Sequence, residues 1–309
     1  MTKLIEKTAY IFLAFTVMML AGCNDKEEST DVPVITTNYV ISEGTYTTSN
    51  VPIPPYCIFA GDTILINRND LKERLDHELI AFKYSHTISM LMLKRAPKYF
   101  PLIEPILKAK GIPDDFKYLM VIESNLNPRS VSTAAAAGFW QFTKSTGKQY
   151  GLEINSNVDE RYNTEKATAA ACDYINSAYN KYGNWLTAAA SYNVGQNYIS
   201  KELTNQHQKK AIDLWLPEET SRYIFRLLAV KTMFEHPEYF GFNLTEDELY
   251  KPAESIDTIT VRTSIPDLAR FANKYGVSYR ELKSANLWLR ESKLKNDSHR
   301  EYRIAIVRD

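Results

Sequence analysis

Apolar residues recur at helical spacing along most of this chain and alternate strictly only near its end. Leu71, Leu75, Leu79 and Phe82 mark one face of a helix. Asn69 or Asp70 is placed to cap it, with Glu73 at the position of a capping box. Before it, Phe59 to Ile66 reads as a short strand or extended arm. Ile88 to about Tyr99 is a second helical run, with Met90, Leu91, Met92 and Leu93. Pro101 and Pro105 are expected to break it, leaving a short helix from Glu104 to Lys110 that ends at Gly111. From Ile112 to about Phe240 the pattern predicts almost continuous helix. Its pieces are a run ending near Leu126 and a short turn starting at Thr143 or Ser145. The longer ones are Thr164–Tyr182, Trp185–Tyr192 and Thr220–Phe234. Ile256 to Arg262 and Tyr302 to Val307 alternate as strands around two short helices, Ile265–Tyr275 and Ser278–Asn286. The pattern therefore predicts a mainly α protein with a small α+β unit of β-α-α-β order at its C-terminal end.

The start of the chain follows a different rule. Lys3 and Lys7 precede an apolar run from Ala9 to Ala21, too short for a comfortable membrane span. The run reads as a signal peptide, residues 1–22, and closes on Leu20-Ala21-Gly22-Cys23. That ending resembles the lipobox of bacterial lipoproteins, which implies lipidation of Cys23 and a membrane anchor; a plain secretory signal is the alternative. Residues 23–54 are polar and lack apolar periodicity, as a tether does. Lys26-Glu27-Glu28 resembles the Lys-then-acidic signals that carry some lipoproteins to the cell surface, or is simply a solvated linker start. The remaining divisions are a helical extension over 55–110, a main helical block over 111–240, a linker over 241–255 and the terminal unit over 256–309.

Composition narrows the role. The formal net charge of the 309 residues is zero, which argues against nucleic acid as a partner. Export permits a disulfide between Cys57 and Cys172, but their separation fixes no geometry, and buried free thiols are the alternative. No Cys/His cluster has metal-ligand spacing, so neither a metal nor an organic cofactor is expected. The many aromatic rings, among them twenty tyrosines, suit both a core and sugar faces.

Candidate chemistry gathers at Lys117 to Pro128, where a single carboxylate, Glu123, stands among Leu119, Met120, Ile122 and Leu126. Pro128 disfavours continued helix, so Glu123 is expected in the last turn of a mostly buried helix. Desolvation and the negative end of the helix dipole both raise a carboxyl pKa, which is what a general acid needs at neutral pH. Taken alone the residue also fits a solvent-facing or salt-bridged helix position.

Three further motifs follow Glu123-Ser124. They are Gly138-Phe139-Trp140-Gln141-Phe142, Ser191-Tyr192-Asn193-Val194-Gly195, and Leu216-Pro217-Glu218-Glu219-Thr220 with Tyr223 one turn on. In this order and spacing the set resembles the soluble-type lytic transglycosylases, whose catalytic domain has a goose-lysozyme-like fold. The membrane-bound D-type subfamily is the nearest likeness. The resemblance implies cleavage of the β-1,4 bond between N-acetylmuramic acid and N-acetylglucosamine, closing a 1,6-anhydro end, with Glu123 as the sole acid and base. It implies that Ser124, Gln141, Tyr192, Asn193, Glu219 and Tyr223 bind substrate or brace the site. Phe139 and Trp140 form wall or core, and Asn193 equally fits a cap before Gly195. It further implies peptidoglycan strands as the partner of a monomeric enzyme anchored in the envelope, at the outer membrane facing the periplasm or at the surface.

A usual glycosidase needs a second carboxylate facing the first. None occurs between Glu123 and Gln141; Glu153, Asp159 and Glu160 come next, and Glu219 is a distant option. A hydrolase of goose-lysozyme type on the same fold is the alternative activity, and a non-catalytic wall-binding lipoprotein the third. At the C-terminal end, Asp267-Leu268-Ala269, Tyr275-Gly276-Val277, Leu282 and Asn286-Leu287 resemble a LysM module. It is a degenerate one: Thr263-Ser264-Ile265-Pro266 stands where that family's sugar-holding loop opens. This implies a LysM-type fold, with glycan binding and a purely structural cap as rival roles.

Overall fold

The structure is a computed structural model that describes residues 49–308. The expected signal peptide, Cys23 and nearly all of the expected tether lie outside the described residues. Among the described residues no helix is long and apolar enough to cross a membrane.

The expected arm is a hairpin that starts earlier than the pattern suggested. β1 (Tyr56–Phe59) pairs antiparallel with β2 (Asp62–Leu65), Cys57 opposite Ile64. Ala60 and Gly61 turn the chain with φ of 53° and 85°, the signature of a two-residue primed turn. Asp115 Oδ2 holds the Ala60 amide at 2.7 Å, which fixes the unfavourable residue. α1 (Asn69–Tyr84) buries Leu71, Leu75, Leu79 and Phe82, the stripe the spacing marked. Its capping box does not form. Arg68 occupies the cap position and its guanidinium pairs with Asp70 at 3.0 Å and Asp213 at 2.6 Å.

The proline expectation is also corrected. α2 runs unbroken from His86 to Ala109 with Pro97, Pro101 and Pro105 inside it. The three prolines stand four residues apart and so share one stripe, and Pro101 and Pro105 on it are exposed. Each removes a bond to the carbonyl four residues back, and on a wet stripe water can take those carbonyls.

A 3₁₀ turn (Asp114–Phe116) leads into α3 (Lys117–Ser124). Asn125 and Leu126 both adopt positive φ, 52° and 54°, so the helix ends before Pro128 is reached. Residues 125–143 are not helical. Bridges Val131–Ala137 and Ala137–Phe142 fold them into a compact flap. α4 (Lys144–Gln149) starts at Thr143, whose Oγ1 accepts from the Thr146 amide at 3.2 Å. α5 (Thr164–Tyr182) opens on the Asn163 cap and closes on Gly183. α6 (Trp185–Val194) is capped by Asn184. Gly195 then turns into α7 (Gln196–Asn205), a helix the apolar pattern did not mark, since Ile199 is its one fully buried residue. α8 (Glu218–Glu235) packs on α1, α3 and α6 and carries ten buried residues, which makes it the spine of the helical core.

After it come β3 (Ser255–Val261), α9 (Leu268–Lys274), α10 (Tyr279–Ala285) and β4 (Tyr302–Arg308). β3 and β4 pair antiparallel from Ser255–Arg308 to Val261–Tyr302. The mainly α reading, with its small β-α-α-β unit, is what the chain adopts. That unit has its own core of Leu268, Ala272, Leu282, Trp288, Ile304 and Ile306. It also takes in Val158 from the helical block. Cys57 and Cys172 are both buried and unpaired; burial pushes their thiols up, to about 11 and about 12.

Candidate active site

Glu123 faces a cleft of ≈ 410 Å³. Its lining includes Ser132, Ala136, Gln141 and Phe142 from the flap, Tyr174 from α5, and Tyr192, Asn193 and Gly195 from the end of α6. Glu123 is the one carboxylate among these lining residues. The carboxyl projects from the last turn of α3, whose other side chains are almost all buried. Burial pushes its pKa up to about 7, against 4.5 in the open chain. A hydrogen bond from Tyr223 and the charge of Arg226 pull the other way, while Glu219 pushes with the burial. Glu123 is thus protonated in a large part of the population near neutrality, as an acid must be before it can donate.

Tyr223 reaches the site from α8 and donates its hydroxyl to Glu123 Oε1 at 2.6 Å. Burial and the nearby carboxylate hold the phenols of Tyr223 and Tyr192 well above their usual range, so both stay neutral donors. Tyr192 does not reach Glu123. Its hydroxyl donates to the Trp140 carbonyl at 2.8 Å, tying the second motif to the third. Trp140 itself is fully buried and donates Nε1 to Thr168, which makes it core and not a sugar platform. Gln141 lines the cleft with a φ of 47°, and its Nε2 donates back to Gly138 O at 2.7 Å and Ser130 O at 3.2 Å. Asn193 stands half-buried at the cleft edge.

Two expected contributors lie elsewhere. Ser124 is buried and spends its hydroxyl on Met120 O, one helical turn back, so it neither orients Glu123 nor lines the cleft. Glu219 is exposed in the first turn of α8 and makes no hydrogen bond to Glu123; its charge is what the site feels. The next acids along the chain are also engaged. Asp159 grips buried Arg161 with both oxygens, and Glu160 pairs with Lys166.

The sequence did not point to Tyr174 or Arg226. Tyr174 sits on the inner face of α5, where spacing marks it as core. It meets Tyr192 edge-on at 5.0 Å between ring centres and donates to Ser191 O at 2.6 Å. Arg226 follows Tyr223 by one turn of α8, and its buried Nε has no partner. Only the α8 spacing, three residues on from Tyr223, hinted at it.

A second hollow of ≈ 480 Å³ is bordered by Glu104, Lys108, Gly111, Ile112, Pro113 and Asp114. Its carboxylates Glu104 and Asp114 are already paired with Lys117, at 2.8 Å and 2.6 Å, which leaves no converging free groups there. Among the described residues no three His, Cys, Asp or Glu gather as a metal site would require.

Removing the Tyr223 hydroxyl should shift Glu123 in a defined direction. That hydrogen bond favours the carboxylate, so Tyr223→Phe raises the Glu123 pKa above about 7. A charge-assisted bond of this kind is worth about 1 pKa unit. The activity lost on deprotonation then moves to higher pH by about that much. A pH–rate profile of the variant checks it; an unmoved limb would mean that Tyr223 does not set the ionisation.

A lone carboxyl with a raised pKa in a tyrosine-lined cleft is an arrangement suited to acid catalysis. Residues 102–215 match the transglycosylase SLT domain, and residues 257–309 match the soluble lytic transglycosylase C-terminal LysM-like domain. The chain is thus an SLT-domain protein with a LysM-like C-terminal unit. It is 30% identical over 256 residues to membrane-bound lytic murein transglycosylase D of Escherichia coli K12, covering 80% of this chain and 55% of that one. It is also 30% identical over 135 residues to peptidoglycan transglycosylase gp16 of Escherichia phage T7, covering 43% of this chain and 10% of that one. Among solved structures, the 70 kDa soluble lytic transglycosylase SLT70 of Escherichia coli aligns with a TM-score of 0.40 and 18% identity, over 59% of this chain and 33% of that one. The chain thus spans little more than half the length of the D-type relative.

Proposed function

We propose that this protein is a peptidoglycan lytic transglycosylase with Glu123 as its single acid and base. The observation that carries the reading is the cleft carboxyl itself: alone among the lining residues, held by Tyr223, and poised near 7. Tyr223 occupies Oε1, so the transferable proton sits on Oε2. Glu123 gives that proton to the glycosidic oxygen as the bond from C1 of N-acetylmuramic acid to O4 of N-acetylglucosamine breaks. The acetamido carbonyl oxygen of the muramic residue attacks C1 and forms an oxazolinium ring. The Glu123 carboxylate then takes the proton of the C6 hydroxyl. O6 closes on C1, the oxazolinium ring opens, and a 1,6-anhydro end forms. Glu123 ends protonated, ready for the next bond, and no water is consumed.

The other groups have roles that fit their bonding. Tyr192 has committed its proton to Trp140, so its oxygen accepts from the acetamido N–H and aligns the acetyl group for attack. Asn193 and the carboxamide oxygen of Gln141 hold sugar hydroxyls at the cleft. Hydrolysis would need a base to activate water. Asp159 and Glu219 are the candidates for that, and the bonding of the first and the exposure of the second disfavour both.

The membrane-bound character of the D-type relative and the Leu20-Ala21-Gly22-Cys23 sequence support a lipoprotein. Signal peptide 1–22 is removed, Cys23 carries the lipid, and 23–54 tethers the enzyme in the envelope, at the outer membrane facing the periplasm. The substrate is the glycan strand, and the enzyme works as a monomer.

Mass spectrometry of soluble products from purified peptidoglycan tests the activity, with the chain from Asn24 onward as enzyme. Anhydro-muropeptides, one water lighter than reducing ones, are the expected product. Reducing ends would make the protein a hydrolase, and no products with glycan retained would make it a binding protein.

A further inference from the structure

The C-terminal unit and the cleft wall are joined through one segment, residues 153–162. On its outer side the loop between α10 and β4 docks on it. Asn157, 6% exposed, is the hub. Its side chain donates to Lys293 O at 2.8 Å and accepts from the Lys295 amide at 2.9 Å. Its backbone carbonyl accepts from the Arg290 amide at 2.9 Å. The Asp159 amide donates to Trp288 O at 2.9 Å, and Val158 bridges to Leu289 while its side chain joins the C-terminal core. At the rim, Tyr302 and Arg300 both hold Glu153, each at 2.9 Å.

On its inner side the same segment grips the flap. Arg161, 4% exposed, forks onto both oxygens of Asp159 and donates Nη1 to Ala135 O at 2.7 Å and Phe142 O at 3.1 Å. The flap that carries those carbonyls supplies Ser132, Ala136, Gln141 and Phe142 to the cleft. It has little regular structure of its own, and Ala135, Gly138 and Gln141 all stand at positive φ. A segment of that kind keeps its shape only when its surroundings impose it.

We infer that the C-terminal unit is a brace for the cleft wall, acting through Arg161 as a positioning residue. The loop that docks is committed to residues 153–162, so the unit is built into the enzyme and is not carried beside it as a free module. Its four backbone-to-segment bonds and the shared core hold Asp159; Asp159 aims the Arg161 fork; the fork sets two flap carbonyls. Only the activity arm of the test rests on the transglycosylase reading.

The experiment compares the full chain from Asn24 with its Asn157→Ala and Arg161→Lys variants, far below the melting midpoint. Hydrogen-exchange mass spectrometry and glycan release are read together, with Tyr302→Phe as a milder variant should Asn157→Ala not fold. Asn157→Ala should speed amide exchange across 130–142 by about tenfold, the effect of about one lost buried hydrogen bond, with α3 and α8 unchanged. Glycan release should fall several-fold, and any movement of its pH profile should be toward lower pH, because a loosened wall can only reduce the burial that raises Glu123. Arg161→Lys keeps the charge beside Asp159 but loses the fork. It should open 130–142 in the same way while the C-terminal unit stays protected. Opening confined to 153–162 and the C-terminal unit, with 130–142 and turnover as in the parent, overturns the brace. A parent that releases no glycan overturns the transglycosylase reading instead, and the exchange data still decide the brace.

Discussion

Glu123→Gln should yield a folded protein that releases no anhydro-muropeptides, with turnover down by at least about a thousandfold, the scale of losing an acid and base together. The amide matches the carboxyl in size and still accepts from Tyr223, so the cleft keeps its shape. What it lacks is the transferable proton and the carboxylate that takes the C6 proton back. No lining residue can substitute, since Glu123 is the one acid there. Product analysis beside the parent checks this, and retained cleavage would remove Glu123 from the mechanism.

The same substitution carries a stability signature with a definite sign. The folded pKa of about 7 lies above the unfolded 4.5, so the ionised form is the one that folding disfavours. Below the unfolded pKa both states hold the proton, and Glu123 costs nothing. As pH rises from about 4.5 to about 7 the unfolded chain gives up its proton first, and the folded state loses stability. The full cost, at most about 3 kcal/mol and reduced by water in the cleft, is present above that window. Glutamine never ionises. The melting temperature of Glu123→Gln should therefore match the parent near the bottom of the window and exceed it increasingly toward the top. A gap that shrank with rising pH would mean the carboxyl is stabilised as an anion.

How far the sequence led can be judged from particular residues. α5 was legible to its ends, because an alanine-rich run is closed by Gly183, and the structure adds the Asn163 cap at its start. Glu123 was legible as a carboxyl in the last turn of a buried helix, and Tyr223 only as a motif residue that braces the site; that it, and not Tyr192, bonds Glu123 was not. α2 was misread because proline is judged by its local cost, while the stripe that absorbs that cost is visible only in three dimensions. Ser124 and Glu219 sit beside motif residues in sequence, but a helix turns neighbours to different faces: Ser124 points back along α3 and Glu219 outward. The flap and its Arg161 clamp were illegible for a different reason. Its partners, Ala135, Phe142 and Asp159, carry no periodic pattern, and two of the three contacts use backbone oxygens that any residue would offer.

Gly138→Ala should be the most destabilising glycine-to-alanine change among the described residues, since two independent costs coincide there. Its φ of 77° is strained for any residue with a Cβ, at about 1 kcal/mol. In addition a Cβ would stand 2.0 Å from the Arg161 carbonyl oxygen and 2.9 Å from its carbon. Both are backbone atoms, and they cannot swing aside as a side chain would. Arg161 cannot retreat either, because its side chain is locked between Asp159 and the flap while its segment is docked on the C-terminal unit. The flap must move instead, carrying Gln141 and Phe142 out of the cleft wall. A loss of about 3–4 kcal/mol follows, which for a domain of this size lowers the melting temperature by about 10 °C. Gly183→Ala separates the two costs. It has a similar φ of 62° with nothing within 4 Å of a Cβ, so only the strain of about 1 kcal/mol applies. Paired thermal melts decide the matter: equal losses at the two positions would mean that the segment bearing Arg161 yields, and that the close approach at Gly138 does not fix the cleft wall.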